Sequence, residues 1–355
     1  MFITILYTFI IIAIGLMTNM RDVKSRNRYI LISSAILVII SGFRSIWVGT
    51  DDTFVYSQSY YDCVRMTYQQ IMDTFEKDVF YYITNHFIAD ITGENYHLLL
   101  IVFAVFYMVC LGYLLKKESS NPLVSFIVFL SMGYFSFQMN GVRQGLAMAF
   151  TMLAYIPLKN RNLKMFLLLV LLGSLYHRTC LIFLMAYPLS FLKLNKKAIV
   201  MYTGIVVLCL LYGQSILNAF VEEAANFDSR FAGYQIYQAK LTYSGLMQLL
   251  LFAAFSFYYY RRVIEKDKRD MILYTMLILG IIFQSMAIFI AEMFRISMFF
   301  NVFLILLLPK VLDAIPTPNR KMYSIGLCVL LLIYFFFLGA GTIPYHFYWS
   351  DTIIN

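Results

Sequence analysis

Long apolar runs alternate with short polar gaps along almost the whole chain. Apolar runs near the roughly 20 residues needed to cross a bilayer predict membrane-spanning helices, and the shorter runs near residues 144–192 also fit half-helices. We predict an all-α, polytopic transmembrane helical bundle with twelve spans, and one integral-membrane domain over residues 1–355. The predicted spans cover residues 2–18, 29–43, 97–115, 122–139, 144–158, 165–176, 180–192, 198–213, 246–260, 271–290, 296–312 and 322–340.

The basic residues indicate which way the bundle faces. Twenty of the 28 Lys and Arg residues fall into six clusters in alternate gaps, and cytoplasmic loops of membrane proteins collect these residues. Each cluster therefore predicts an inner gap, which places both termini and almost all polar candidates for chemistry outside. The first run has no small-residue cleavage site after it, so we expect a retained helix. The clusters lie at residues 21–28, 116–117, 159–164, 193–197, 261–269 and 310–321.

The composition supports a membrane location. Of the 355 residues, 61% are hydrophobic and only 13% are charged, whereas a soluble domain carries about 25% charged residues. The net charge of +9 would suggest nucleic acid in a soluble protein, but here the inner clusters account for it, so no nucleic-acid partner is expected. The five cysteines show no paired spacing, and the sequence contains neither a zinc pattern nor a glycine-rich nucleotide motif.

Two predicted outer segments are long. In the first, residues 44–96, apolar residues recur every four positions and predict an amphipathic helix that lies along the membrane surface or caps the bundle. Its many tyrosines suit a membrane interface and also the apolar faces of sugars. The second segment, residues 214–245, carries charges and tyrosines, and a lid is one interpretation. The stripe consists of Ile71, Phe75, Val79, Ile83 and Phe87, with Asp73, Glu76, Lys77, Asp78 and Asn85 opposite.

Four arginines stand at the outer ends of predicted spans. A single arginine there often snorkels, or pairs with a carboxylate such as Asp51 or Glu292. Four on one side favour a shared role, because guanidinium groups bind phosphate oxygens two at a time and stay charged. A lipid-linked diphosphate at the outer membrane boundary is the ligand that such a group fits. The four are Arg44, Arg143, Arg178 and Arg295.

Candidate acids and bases are few. Asp51 and Asp52 follow the second predicted span, and such an acidic pair suits a divalent metal, a general base or simply a solvated, helix-capping position. His177 stands at an outer turn, although a lone histidine is more often a packed, hydrogen-bonding residue than a catalyst. Glu292 lies three residues before Arg295, so the two share a helix face and an intrahelical ion pair is an equal interpretation.

These residues belong to short motifs that resemble those of the EpsG family of polysaccharide polymerases. Residues 142–147 (VRQGLA) are similar to the family's R-Q-x-[IL]-A motif, and residues 176–179 (YHRT) to its H-x-[ST] turn. Arg295 with Phe299 and Phe300 resembles a later R-x-x-x-[YF]-F helix. Each motif is short, but their order along nearly the whole chain makes the combined match more specific. The first and last motifs are Phe43-Arg44 with residues 48–51 and Tyr56, and Pro344-Tyr345.

The resemblance implies a Wzy-like polymerase of an O-antigen, capsule or exopolysaccharide, with a GT-C-like membrane glycosyltransferase architecture. Such an enzyme is expected to transfer a growing glycan en bloc from undecaprenyl diphosphate onto a lipid-linked repeat unit, on the outer face of the cytoplasmic membrane. A flippase and a chain-length regulator are expected partners. We expect Arg143 and Arg295 to bind the leaving diphosphate, with Arg44 and Arg178 behind them, and no metal or soluble cofactor to be required.

The same hypothesis assigns the remaining candidates. Asp51 is the first candidate for the base that takes the acceptor proton, and His177 is the second. Gln144 and Tyr56 are expected to orient sugar hydroxyls, and Glu292 to bind substrate. Three alternatives stay open: a flippase or transporter of the lipid-linked oligosaccharide, a metal-dependent transferase that uses a singly phosphorylated lipid sugar, and an acyltransferase. The first would carry polar residues at mid-membrane and repeated halves, and the last a convincing His–acid pair.

Overall fold

The computed structural model describes residues 2–49, 51–227, 243–290, 292–339, 341 and 343–353. These residues form helices and irregular connections, and the only β-type pairing among them is a single bridge between Arg44 and Phe347. Helical structure lies in each of the twelve predicted segments. The prediction of an all-helical chain is therefore confirmed for the described residues, whereas the number of membrane spans stays a prediction.

The chain divides into two compact units, Met1–Leu184 with Leu308–Asn355, and Met185–Leu307. The first unit contains α1 (Phe2–Met17), α2 (Val23–Gly42), α3 (Asp51–Val64), α4 (Tyr68–Thr74), α5 (Val79–Thr92), α6 (Tyr96–Glu118), α7 (Pro122–Ser131), α8 (Tyr134–Asn140), α9 (Val142–Lys159), α10 (Leu163–Tyr176) and α18 (Thr317–Phe337). The second contains α11 (Ala186–Leu189), α12 (Lys196–Phe227), α13 (Ser244–Tyr258), α14 (Tyr260–Lys266), α15 (Met271–Met286) and α16 (Glu292–Asn301). Helix α17 (Leu304–Ala314) runs across the boundary, and short 3-10 helices cover Arg178–Met185, Lys268–Asp270 and Tyr348–Ile353.

Four of the described helical segments are long and apolar enough to cross a membrane: α6, the first part of α12, α15 with the short turn before it, and α18. The number rises to six if the bent pairs α7–α8 and α16–α17 each form one span. Several other helices, including α1, α10 and α13, are apolar but have fewer than 18 residues. Long apolar helices of this kind are stable in the hydrocarbon core of a bilayer, which is about 30 Å thick. The chain is a helical membrane protein.

Helix α9 is largely buried in the first unit, where it packs against α6 and α10. Its close approach to α10 depends on Gly173, since a Cβ there would lie 2.8 Å from Cys180 Sγ and 3.3 Å from the carbonyl oxygen of Ala147. Arg143 and Lys159 mark the two ends of α9. At 1.5 Å per residue, about 24 Å of helix separates them.

An ion cluster lies at the Lys159 end of α9. Lys159 Nζ is 2.6 Å from Glu118 Oε2, and Lys310 Nζ is 3.9 Å from the same oxygen. The side chain of Lys159 is 5% exposed and that of Glu118 is 15% exposed. All three residues belong to gaps that the charge pattern places inside. Their meeting at one end of α9 supports that grouping.

Within residues 44–96, the four-residue period predicts a single amphipathic helix, but the structure shows two helices, α4 and α5, along the apolar stripe. Thr67 and Gln70 form a reciprocal capping box that starts α4, and the chain leaves this helix at Phe75. Asp78 adopts a left-handed conformation with φ 54°, and α5 begins directly after it. The period continues in phase across the break, which is why the pattern alone predicts one helix. Asp78 and Asn85, predicted on the polar face, are both buried.

The second long segment is partly helical. Helix α12 continues to Phe227, well into the predicted loop of residues 214–245, and α13 begins at Ser244. Residues 228–242 lie outside the described part of the chain. A lid in this segment therefore stays a prediction.

Candidate active site

The carboxylate of Asp78 brings together residues from distant parts of the first unit. Arg143 Nη1 donates to its Oδ2 at 3.2 Å, and His177 Nδ1 lies 3.1 Å from the same oxygen. The backbone N–H of Arg178 donates to Oδ1 at 3.1 Å. Only 6% of the Asp78 side chain is exposed. We name these four residues, Asp78, Arg143, His177 and Arg178, the Asp78 cluster.

The left-handed backbone conformation of Asp78 contributes to this arrangement. Aspartate is one of the few residues that tolerate the left-handed conformation found here, and α5 starts at the next residue. At such an N-cap position the side chain often bonds its own helix, but that of Asp78 does not. The carboxylate is thus available to the distant donors. The positive end of the α5 dipole also favours an anion at this position.

The surroundings of Asp78 decide its protonation state. Burial alone would raise the pKa of the carboxyl, but the hydrogen bond and charge of His177, the charge of Arg143 and the N–H of Arg178 together lower the pKa below its ordinary value of 3.8. Asp78 is therefore ionised at neutral pH and can only accept hydrogen bonds. Because the carboxylate can only accept, His177 donates the hydrogen bond through Nδ1, and Nε2 is the ring nitrogen left for another partner.

Arg143 lies between the carboxylate and an aromatic wall. Its guanidinium carbon is 5.5 Å from the ring centroid of Tyr56 and 6.0 Å from that of Tyr82. Nη1 also lies 3.5 Å from the Tyr82 hydroxyl, and the Tyr82 ring stacks on Phe75 with centroids 3.6 Å apart. The Arg143 side chain is 28% exposed. Arg143 is thus oriented by an anion and two rings, and its side chain is not fully enclosed.

The turn that carries His177 is fastened to the loop before α5. Helix α10 ends at Tyr176, and the N–H of His177 donates to the carbonyl of Gly173, after which a 3-10 helix begins at Arg178. The exposed Arg178 side chain reaches back, and its Nη2 donates to the Glu76 carbonyl at 2.5 Å. The backbone and the side chain of Arg178 therefore both hold the loop that presents Asp78.

Arg44 has different surroundings. Its guanidinium is buried and donates to the carbonyl of Ser41 and, at 2.9 Å, to that of Met139. Nearby, the Tyr345 hydroxyl donates to the carbonyl of Ile40 at 2.6 Å, so the first and last family-like motifs meet in the structure. These hydrogen bonds of Arg44 are those of an arginine that fixes loops. Its predicted role in phosphate binding gains no support from them.

Four other predicted residues are not among the contacts described for the Asp78 cluster. Gln144 follows Arg143 in α9 and is buried. Arg295, which is exposed, and Glu292, which is partly buried, both lie in α16 of the second unit and are described only within that unit. Asp51 begins α3, but its side chain lies outside the described residues. The roles predicted for these four residues stay predictions.

A metal site does not emerge from the described part of the chain. No group of three or more His, Cys, Asp or Glu side chains there is arranged to hold an ion. The side chains of Asp51 and Asp52, the pair considered for a metal, are not among the described residues. The Asp78 cluster itself offers one carboxylate surrounded by cationic groups, which is a poor environment for a divalent cation.

Comparison with known proteins adds the following. A model of the EpsG family matches residues 27–348. The chain is 25% identical over 256 residues to the amylovoran biosynthesis protein AmsC of Erwinia amylovora, in an alignment that covers 68% of this chain and 67% of that protein. No solved structure matches the chain.

Proposed function

Because the chain belongs to the EpsG family, we propose that it is a polymerase of a bacterial surface polysaccharide. It acts as a GT-C-like bundle of twelve spans in the cytoplasmic membrane, with both termini outside. Its substrates are oligosaccharides linked to undecaprenyl diphosphate, and it works beside a flippase and a chain-length regulator. The match to the family over residues 27–348 and the similarity to a biosynthesis protein support this role.

The proposed reaction is a glycosyl transfer between two lipid-linked glycans. A hydroxyl of the incoming repeat unit attacks the anomeric carbon of the growing chain, and a new glycosidic bond forms there. The bond between that carbon and undecaprenyl diphosphate breaks, and the diphosphate leaves with the electron pair. The hydroxyl proton passes to a base. Catalysis therefore needs a base on one side of the anomeric carbon and positive charge on the other.

The observation that carries the proposal is the meeting of His177 and Arg143 on one carboxylate. His177 Nε2 takes the acceptor proton, while Asp78 fixes the ring through Nδ1 and stabilises the imidazolium that forms. Arg143 binds the departing diphosphate with the donors that Asp78 does not occupy, and Arg295 is the second cation proposed for this anion. Asp51 is the alternative base.

The aromatic wall suits the sugar. The partly buried Tyr56 ring lies 5.5 Å from the guanidinium carbon of Arg143, so a pyranose held against this ring lies beside the cation. Gln144, next to Arg143 in α9, is proposed to orient sugar hydroxyls, and Glu292 to contact substrate. The cluster lies about 24 Å along α9 from the Lys159 ion cluster, which supports a site at the outer face.

The proposal is tested by deleting the gene, complementing with variants and separating surface glycans by electrophoresis. The Arg143→Ala variant is expected to display single repeat units at the surface and no long chains. Arg65→Ala is the matched control, because Arg65 is an exposed arginine of the same outer segment without a place in the cluster. This control is expected to restore the full ladder of chain lengths.

Other outcomes separate the competing functions. Long chains in the Arg143→Ala strain would remove this arginine from the site. Repeat units that stay inside the cell after deletion would favour a flippase. Loss of polymerisation when a chelator is added would favour a metal-dependent transferase that uses Asp51 and Asp52.

A further inference from the structure

A groove of about 830 Å³ runs between α2 and α6, and no residue of the Asp78 cluster lines it. Arg28 and Lys116 lie at one end of it, and Ile39 and Val105 lie at the other. Gly112 lies in the groove wall between them, where even an added Cβ would come no closer than 3.5 Å to Ser34 Oγ.

The polarity of the groove changes along its length. Asn27, Arg28 and Lys116 share one end, and the remaining lining is apolar except for Ser34 and the amphipathic ring of Tyr113. Leu31 and Val109 are 69% and 64% exposed, so the apolar part opens to the surroundings. A membrane protein places such a surface against lipid tails. The groove is thus positively charged at one end and mainly apolar along the rest.

The two cations at the charged end are available to a ligand. The side chains of Arg28 and Lys116 are exposed, and neither forms a salt bridge within the described part of the chain. Both belong to clusters that the charge pattern places on the cytoplasmic side. Two exposed cations without a salt bridge in the described residues, at that predicted membrane face, attract anionic headgroups.

The length of the groove matches one leaflet. Twelve residues separate Asn27 from Ile39 on α2, which corresponds to about 18 Å of helix. Half of a hydrocarbon core of about 30 Å is about 15 Å. The groove therefore accommodates one acyl chain whose headgroup stays at the surface. A polar end and an apolar channel of this depth fit an amphiphile better than a protein segment.

We propose that this groove binds an anionic phospholipid of the cytoplasmic leaflet. The phosphate lies between Arg28 and Lys116, Asn27 hydrogen-bonds to the headgroup, and one acyl chain lies along the channel between α2 and α6. A second copy of the chain or a partner helix would use the apolar walls but would have no need of the two cations. The lipid-linked substrate differs as well, because its diphosphate belongs at the outer face.

The test is native mass spectrometry of the delipidated, full-length protein titrated with phosphatidylglycerol or with phosphatidylcholine. The wild type is expected to retain phosphatidylglycerol preferentially, and glycerol phosphate is expected not to displace it. A juxtamembrane cation contributes about fivefold to the binding of an anionic lipid, so Arg28→Ala with Lys116→Ala is expected to weaken binding about 25-fold. Val109→Trp, which fills the channel, is expected to weaken the binding of both lipids.

Two matched controls accompany these variants. Arg21→Ala with Lys164→Ala removes the same charge from the same predicted side at two exposed positions that do not line the groove, and Val102→Trp adds the same ring to α6 outside it. Both are expected to bind like the wild type. Equal retention of the two lipids by the wild type, unchanged binding in the groove variants, or a dimer that Val109→Trp dissociates would overturn the proposal.

Discussion

Replacement of Asp78 by Asn tests the proposed division of roles most sharply. Asn has nearly the same shape, and its Oδ1 can still accept from the backbone N–H of Arg178, a bond of 3.1 Å in the wild type. Its amide nitrogen would then face His177 Nδ1 and Arg143 Nη1, where the carboxylate oxygen accepts. A donor at this position inverts the histidine tautomer, because Nδ1 must now accept and Nε2 must carry the proton.

The expected loss of polymerisation rate follows from the inverted tautomer of His177. A histidine whose Nε2 is protonated cannot take the proton of the acceptor hydroxyl, so the general-base contribution of about 10²- to 10⁴-fold is lost. This range corresponds to roughly 2.7–5.5 kcal/mol of transition-state stabilisation. Arg143 also loses its ion pair, which is expected to loosen the cation and to add to the loss. The effect on rate should thus exceed the effect on folding.

The assay is polymerisation by purified protein in proteoliposomes supplied with lipid-linked repeat units, beside a thermal unfolding curve. Asp90→Asn is the matched control: Asp90 lies in the same helix, is exposed and contacts His86 at 3.7 Å. It is expected to retain wild-type activity. A folded Asp78→Asn protein that polymerises at the wild-type rate would falsify the assignment of His177 and Asp78 as base and positioning residue.

Three further predictions concern the charged groups. Arg143→Lys keeps the charge but loses the bidentate fork, so its chain lengths on a glycan gel are expected to resemble those of Arg143→Ala; normal chains would refute a role in diphosphate binding. Because the pKa of Asp78 is lowered when the protein folds, its contribution to stability is present above pH 3.8 and is lost as the pH falls through the lowered value. The difference in unfolding temperature between wild type and Asp78→Asn should therefore shrink below that pH, and a constant difference would contradict this sign. Glu118→Gln removes the carboxylate that faces Lys159 and Lys310, and a loss of about 1.5–3 kcal/mol in unfolding free energy is expected by denaturant titration; no loss would mean that the ion cluster is dispensable.

The sequence predicted the helices well because a bilayer imposes a simple rule. Each crossing needs an uninterrupted apolar run, so runs such as residues 97–115 and 322–340 identify α6 and α18 directly. The rule does not extend to the segment that is predicted to lie along the membrane surface. The stripe from Ile71 to Phe87 keeps its period across a left-handed residue, and only the packing of that loop reveals two helices.

The candidate site was predicted in part. Arg143 and His177 were identified from short motifs, and the structure places both on one carboxylate. Asp78 was missed, because it is 65 residues from Arg143 and 99 from His177 and no local pattern joins positions so far apart. Its one sequence signal was an acidic residue directly before an apolar helix. For Arg44 the position in the sequence predicts a phosphate contact; in the structure its guanidinium donates to backbone carbonyls, and the phosphate contact stays a prediction.

The central claim is that an arginine beside a histidine–aspartate pair expels a lipid diphosphate while a glycosidic bond forms. The most direct measurement is the amount of undecaprenyl diphosphate released per new glycosidic bond by purified protein in liposomes that carry lipid-linked repeat units. One molecule per bond is predicted for the wild type and for Arg65→Ala, with release and bond formation lost together in Arg143→Ala. Bonds that form without this release, or undiminished release in Arg143→Ala, would contradict the account.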